Sequence, residues 1–229
     1  MDNAKFYTAV RSAFGPLNQS QIDGLNAILD AWEEYGDGDQ RKLAYVISTA
    51  WHETMRFRYL RELWGPTVQQ QGYEGRADLG NTVKGDGKRF LGRGMVMITG
   101  RRNYADWSKR LGIDLLTKPT LAEDPTIAAR ILVEGMMLGT FTGKPLSAFI
   151  NGSAFDFRNA RRVVNGLDRA DDIAGYAMKF AAAFAAAPQS PPSAPSEIPT
   201  PSTKPTSKAG LIIVAVLVIA AIAFFIIKH

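Results

Sequence analysis

With 229 residues and no cysteine, the chain has room for one generous domain or two small ones. The missing cysteines exclude a disulfide framework and a thiolate zinc site. A net charge of +5 and a pI near 9.5 favour an acidic partner, for which nucleic acid, anionic lipid headgroups and a carboxylate-bearing wall polymer all qualify.

Residues 1–187 have the mixed composition of a globular domain, and most of their apolar periodicity is helical. The first 14 residues contain no apolar stretch of signal-peptide length, so we expect no export by a cleavable signal. The spacing predicts helices over residues 19–35, 40–57, 102–111, 125–138, 155–165 and 170–187. Asp39 is the expected N-cap of the second of these helices. Glycines interrupt residues 65–94, which predicts loop with room for a short hairpin. The expected fold class is mainly α with an irregular middle.

Two further segments follow the globular domain. Residues 188–208 are mostly proline, serine, threonine and alanine, which predicts an extended linker of up to about 60 Å. Residues 209–227 carry no charge and would form a helix of about 28 Å, close to the thickness of a hydrocarbon core. A buried core helix is the alternative, but it would normally keep a polar face. We therefore expect a single-pass C-terminal anchor in a lipid bilayer, and the flanking charges leave its orientation open.

Few residues are suited to metal or cofactor chemistry. The chain has only two histidines, which excludes a multi-histidine metal site. His52-Glu53 begins like the HExxH zinc motif, but Arg56 stands where the second histidine belongs. Residues 37–39 lack the downstream ligands of an EF-hand, and residues 92–94 lack the continuation of a phosphate loop. We expect neither metal nor cofactor, which leaves the carboxylates as catalytic candidates.

Glu53 is the first of these candidates. It lies between Trp51 and Met55, at the apolar end of its predicted helix. A glutamate on a helix is more often a solvated surface residue. Partial burial at this position would favour the protonated form that a general acid needs.

A hydrolysis that inverts the sugar configuration requires a second carboxylate about 6.5–9.5 Å from the first. On one straight helix Glu62 would lie about 13 Å from Glu53, so the chain must fold back between them. Gly65-Pro66 is consistent with such a fold-back. Glu74 and Asp78, in the glycine-rich loop, are the competing partners, and spacing alone does not choose among the three.

Several motifs occur together in a recognisable order. Residues 44–54, AYVISTAWHET, resemble the helix of family 19 chitinases and related phage endolysins that carries the general acid. Residues 86–94, DGKRFLGRG, resemble their glycine-rich floor, and residues 161–166, RRVVNG, resemble their late asparagine motif. The resemblance spans about residues 40–180. It implies a lysozyme-like, two-lobed, α-rich catalytic domain.

The resemblance also implies roles for individual residues. Glu53 matches the general acid, Glu62 the base of the phage members, and Thr99 the hydroxyl residue that helps to hold the attacking water. The match implies a substrate contact at Asn165, and we also expect substrate contacts at His52, Glu74, Arg93 and Tyr104. One position departs from the pattern. Met97 stands where glutamine is common, and a thioether cannot donate a hydrogen bond as an amide does.

Within this family the phage branch cleaves the glycan of peptidoglycan and the plant branch cleaves chitin. The loop of residues 79–87 and the Arg61-Glu62 pair look like the phage branch, which implies a lysozyme-type hydrolase of peptidoglycan strands. With the predicted anchor, we expect a phage lytic or virion-entry enzyme on the host inner membrane or in the membrane of a lipid-containing virion. Other virion or membrane proteins are possible partners.

Three alternatives to a peptidoglycan hydrolase stay open at this point. They are a lytic transglycosylase, a chitinase-like enzyme and a non-catalytic, membrane-anchored wall-binding protein. Nucleic acid is not an expected partner, because the arginines are scattered over several segments instead of lining one helix face.

Overall fold

A computed structural model describes residues 1–188 of the chain. The helices in this part are α1 (Asn3–Phe14), α2 (Gln19–Tyr35), α3 (Gln40–Glu53), α4 (Val68–Gln71), α5 (Asp86–Arg89), α6 (Arg101–Leu111), α7 (Pro125–Leu138) and α8 (Ala170–Ala186). Four short 3-10 helices cover Ala77–Leu79, Pro119–Glu123, Leu146–Ala148 and Asn159–Val163. The two short strands β1 (Ile150–Asn151) and β2 (Ala154–Phe155) form an antiparallel hairpin. The prediction of a mainly helical fold is confirmed.

No helix within residues 1–188 is both long and apolar enough to cross a bilayer. The predicted transmembrane helix over 209–227 lies outside the described residues. The same holds for the predicted linker over 188–208, apart from its first residue.

Local capping signals determine where several helices begin. The Asp39 side chain accepts the backbone N–H of Arg41 at 2.9 Å, as expected for the N-cap of α3. Asn18 and Gln21 form a reciprocal capping box at the start of α2. Asp124 caps α7, and Gly139 ends that helix with a φ of 72°.

Helix α3 is the central element of the core. It packs against α8 and also contacts α7, while α2 packs against α7 and α1 against α8. Residues 42–51 of α3 are all buried, so this helix is enclosed on every side. The Trp51 ring lies 5.0 Å from that of Phe14, 5.6 Å from that of Phe180 and 5.9 Å from that of Phe57. Glu53 therefore lies at the end of a helix that is firmly packed in the core.

Besides the end of α3, which is described with the site below, the structure differs from the sequence-based expectation in three segments. Residues 155–165 are not an α-helix: they contain strand β2, a turn and a 3-10 helix. Asp156 accepts the backbone N–H of Asn159 at 3.0 Å, which stabilises a turn there instead of a continuing helix. The hairpin lies at 150–155 and not within 65–94, where α4 and α5 occur. Helix α1 was not predicted, although Asp2 caps it and Phe6 and Val10 bury its inner face.

Candidate active site

A left-handed turn directly follows Glu53. We predicted the helix to run to Phe57, but Met55, Arg56 and Phe57 have φ values of 51°, 64° and 61°, so α3 ends at Glu53. Each such residue costs roughly 1–2 kcal/mol outside glycine, and surrounding contacts must hold it in place. The buried Thr54 side chain supplies two of these contacts. Its Oγ1 donates to the Ala50 carbonyl at 2.6 Å and accepts the Phe57 N–H at 2.7 Å.

Beyond this turn the chain folds back toward the glycine-rich floor. The Glu62 N–H donates to the Gly92 carbonyl at 2.9 Å, and the Gly94 N–H donates to the Leu60 carbonyl at 2.8 Å. These bonds form a short antiparallel bridge between Arg61 and Arg93. The fold-back that Glu53 and Glu62 need in order to share a site is therefore present.

Glu53, Glu62 and Thr99 line one open cleft of about 360 Å³. The other lining residues are mostly apolar or aromatic: Met55, Tyr59, Arg61, Leu63, Tyr73, Gly92 and Met97. The sequence analysis did not single out Tyr59, Leu63 or Tyr73, because nothing in their spacing marks them as neighbours of Glu62.

Two donors hold the Glu62 carboxylate. The Gly92 N–H donates to Oε2 at 3.1 Å, and the Tyr73 hydroxyl donates to Oε1 at 3.2 Å. Burial raises the pKa of Tyr73, and the neighbouring Glu62 carboxylate raises it further. Tyr73 therefore keeps its proton at neutral pH and remains a donor that fixes the direction of the Glu62 side chain.

The side-chain oxygens of Glu62 and Thr99 both lie close to Gly92. A Cβ atom placed on it would lie 3.3 Å from Glu62 Oε2, 3.3 Å from Thr99 Oγ1 and 3.3 Å from Met97 Cβ. The Thr99 hydroxyl donates its proton to the Met97 carbonyl at 2.9 Å, so its lone pairs can accept a further hydrogen bond. A carboxylate and an accepting hydroxyl thus flank one small space, an arrangement suited to a water nucleophile.

Glu53 is held by a residue whose role the sequence did not reveal. Arg161 Nη1 donates to Glu53 Oε1 at 2.6 Å, and Arg161 Nε donates to the Asp168 carbonyl at 3.1 Å. The Arg161 side chain is 4% exposed and that of Glu53 is 21% exposed. The pair fixes one oxygen of Glu53 at the cleft and ties the 3-10 helix Asn159–Val163 to the end of α3. Arg161 is the first residue of the RRVVNG motif, but the resemblance implied a role only for Asn165 in that motif.

Arg93 and Tyr104 were expected to contact substrate, but both are buried and neither lines the cleft. Arg93 forms an ion pair with Glu123 at 2.8 Å and donates to the Tyr104 hydroxyl at 3.0 Å. Tyr104 in turn donates to the Leu91 carbonyl at 2.8 Å. Burial raises the pKa of Tyr104 to about 12. The burial of both side chains makes them supports of the cleft floor.

Glu74 also holds the loop in place. Its carboxylate accepts the N–H groups of Gly85 at 2.6 Å and Gly87 at 2.9 Å. Glu74 does not line the cleft. Glu62, the other candidate for the second carboxylate, does line it. Asp78 is exposed and pairs with Arg76.

His52 and Asn165 stay predictions as substrate contacts. The His52 ring lies 6.5 Å from that of Tyr176 on α8. Asn165 is exposed, and its Oδ1 accepts the Gly166 N–H at 2.8 Å. Neither residue belongs to the cleft lining. In the described part of the chain, no group of three His, Asp or Glu side chains is placed to hold a metal ion.

The chain was compared with known sequences and structures. No family model matches it. It is 32% identical to an endochitinase of Arabidopsis thaliana over 94 residues, or 40% of this chain. It is 28% identical to Chitinase 6 of Oryza sativa subsp. japonica over 138 residues, or 59% of this chain. The matches span 33% and 46% of the lengths of these two relatives.

Solved structures extend the similarity over most of the described part. Chitinase C from Streptomyces griseus superposes with a TM-score of 0.57 at 22% identity, covering 79% of this chain and 74% of that one. A bacterial family 19 chitinase superposes with a TM-score of 0.52 at 20% identity, covering 77% and 93%. The chain therefore has the fold of the family 19 chitinases. Its relatives in sequence and its neighbours in structure are glycoside hydrolases.

Proposed function

We propose that the chain is a glycoside hydrolase that cleaves β-1,4 glycan bonds with Glu53 as general acid and Glu62 as general base. The observation that carries this proposal is the shared cleft. Glu53 enters it from the end of α3, and the chain then turns back and places Glu62 in the same cleft beside Thr99.

In the proposed reaction Glu53 carries its proton on Oε2, since Oε1 accepts the bond from Arg161, and it donates that proton to the glycosidic oxygen as the bond to the anomeric carbon breaks. Glu62 takes a proton from a water molecule while the water oxygen attacks that carbon from the opposite face. Thr99 accepts a hydrogen bond from the same water, and Tyr73 keeps the Glu62 carboxylate in position. The product has the inverted anomeric configuration. The glutamates end with exchanged protonation states and are reset by solvent.

We assign the substrate as the glycan of peptidoglycan. The net charge of +5 supports this choice, because peptidoglycan carries carboxylates whereas chitin is neutral. Chitin is the second candidate, since the relatives and structural neighbours described above are named chitinases.

Product analysis tests the proposed function. The full chain is incubated with peptidoglycan sacculi and with chitooligosaccharides, and the soluble products are identified by mass spectrometry. We expect fragments with ordinary reducing ends from the sacculi. Anhydro-muramyl ends would identify a lytic transglycosylase, cleavage of chitooligosaccharides alone would identify a chitinase, and binding without products would identify a wall-binding protein.

We further propose that the enzyme works from a membrane. The uncharged stretch over 209–227 supports a single-pass anchor, and the proline-rich stretch over 188–208 supports a spacer of up to about 60 Å. The membrane would be that of the host cell or of a lipid-containing virion, with peptidoglycan within reach. Protease protection of the membrane-bound full chain tests the proposal. Recovery of the chain entirely in the soluble fraction would contradict it.

A further inference from the structure

Arg61 lies in the cleft beside Glu62 without a carboxylate partner. Its side chain is exposed and forms no ion pair with any of residues 1–188. Its backbone is nevertheless fixed, because Arg61 is bridged to Arg93 and its neighbours Leu60 and Glu62 are hydrogen-bonded to the same segment. The backbone of a cationic lining residue is therefore fixed at the wall of the cleft, and its side chain is open to solvent.

Other arginines near the site differ from Arg61 in this respect. Arg93 pairs with Glu123 and Arg161 pairs with Glu53, each at 2.8 Å or less. Arg101 pairs with the buried Asp86. Each of these three arginines is neutralised by a carboxylate from the same chain. Arg61 lines the cleft without such a partner among the described residues.

Two more arginines lie near Arg61 in the sequence. Arg56 lies over the Trp51 ring at 5.6 Å and Arg58 over the Tyr59 ring at 5.1 Å, and neither forms an ion pair with residues 1–188. Both belong to the segment between the lining residues Met55 and Arg61. Three arginines thus lie within the segment 56–61, of which Arg61 lines the cleft, and Glu62 is the one acidic lining residue that no described arginine neutralises.

We infer that Arg61 is a specificity residue that binds a carboxylate carried by the glycan next to the bond to be cleaved. The inference rests on the proposed function, and it makes the substrate an acidic glycan instead of a neutral one. A guanidinium recognises a carboxylate through two parallel hydrogen bonds, whereas neutral hydroxyl and acetamido groups give it no counter-charge. The carboxylate belongs either to the lactyl group of the sugar or to the peptide attached to that group.

The test combines the Arg61→Gln variant of the full chain with chemical removal of the substrate's charge. Cleavage is measured on native sacculi and on sacculi whose carboxylates have been amidated. We expect amidation to lower kcat/KM of the unaltered chain roughly tenfold through KM, since one charge-assisted hydrogen bond is lost. Arg61→Gln should show this loss on native sacculi already and cleave both substrates equally well. Arg102→Gln, an exposed arginine that does not line the cleft, should respond to amidation as the unaltered chain does.

A binding measurement separates this inference from the proposed catalysis. Co-sedimentation of the Glu62→Gln chain with the two kinds of sacculi is compared with and without Arg61→Gln. Retention that depends on both Arg61 and the carboxylates supports the inference even if the chain cleaves no glycan. An Arg61→Gln variant that is as sensitive to amidation as the unaltered chain, in cleavage and in binding, overturns it.

Glycan strands freed of their peptides identify the source of the carboxylate. If Arg61 dependence persists on these strands, the lactyl carboxylate is the partner. If it disappears while remaining on intact sacculi, the partner is a carboxylate of the attached peptide. Either result supports recognition of an acidic glycan.

Discussion

Gly92 determines how much room the cleft leaves beside Glu62 and Thr99. In Gly92→Ala the new methyl group would lie 3.3 Å from both reactive side-chain oxygens, where the proposed water must fit. We expect kcat to fall by roughly a hundredfold, as small displacements of reacting groups can cause. The free energy of unfolding should change by less than about 1 kcal/mol, because the Gly92 φ suits any residue.

Steady-state kinetics and urea denaturation of Gly92→Ala check this expectation. Gly166→Ala is the matched control, since a Cβ there meets no atom within 4 Å. A Gly92→Ala variant with unchanged kcat would show that the space above Gly92 is not where the nucleophile lies.

The sequence could single out Glu53, Glu62 and Thr99 as candidates, because their identities and order resemble the motif of a known family, and all three line one cleft. It could not identify Tyr73 or Arg161 as their supports. Arg161 reaches Glu53 across 108 positions of the chain. A contact of that kind depends on how the helices pack, and no local pattern records it. Arg93 and Tyr104 are the reverse case. They match the family motif and were expected to contact substrate, but both are buried beneath the cleft floor.

At the scale of secondary structure, the turn after α3 decides where Glu62 lies. The Phe57 ring ends this turn and packs against Gly24 of α2, where any Cβ would overlap it. Gly24→Ala would gain about 1 kcal/mol of helix propensity, but overpacking costs about 1–3 kcal/mol. We expect a net loss of stability together with a lower kcat, because the displaced turn moves Glu62. Thermal unfolding and kinetics measure both quantities.

Gly175→Ala in α8 is the control for this substitution. Gly175 lies in a helix with no atom near its missing Cβ, so alanine should stabilise the protein by up to about 1 kcal/mol. If Gly24→Ala stabilised the protein to the same extent and left kcat unchanged, the packing of Phe57 on Gly24 would have no part in shaping the site.

Helix starts were more predictable than the end of α3. Asp39 was the expected cap of α3, and both α3 and α7 begin where the sequence places them. Met55, Arg56 and Phe57 are ordinary helix residues by propensity, yet all three adopt the left-handed region. Tertiary contacts of Phe57 and Thr54 override local preference there, so the early end of α3 could not be predicted from the sequence.

At the scale of the whole molecule, the Asp86–Arg101 pair joins the glycine-rich floor to α6. Arg101 Nε donates to Asp86 Oδ2 at 2.7 Å, and the Val83 N–H donates to the same oxygen at 3.0 Å. Arg101 holds the pKa of Asp86 below its ordinary value of 3.8. Because the folded pKa is the lower one, this stabilisation is present above about pH 4 and is lost as the pH falls through the folded pKa.

Asp86→Asn should therefore lower the free energy of unfolding by about 1–2 kcal/mol at pH 7, and its deficit should shrink below pH 4. Urea denaturation between pH 7 and pH 3 measures this difference. Asp78→Asn, in the exposed pair with Arg76, should leave the free energy of unfolding unchanged at either pH, because solvent screens that pair. A deficit for Asp86→Asn that is independent of pH would rule out the Asp86 charge as its origin.

The central claim is that Glu53 and Glu62 together cleave a glycan. The most direct measurement is the rate at which the full chain releases reducing ends from sacculi, compared among Glu53→Gln, Glu62→Gln and the exposed control Glu33→Gln. We predict a loss of about 10²–10⁴-fold for each of the first two variants with folding retained, and an unchanged rate for the third. A folded Glu53→Gln or Glu62→Gln variant that releases reducing ends at the unaltered rate would contradict the claim.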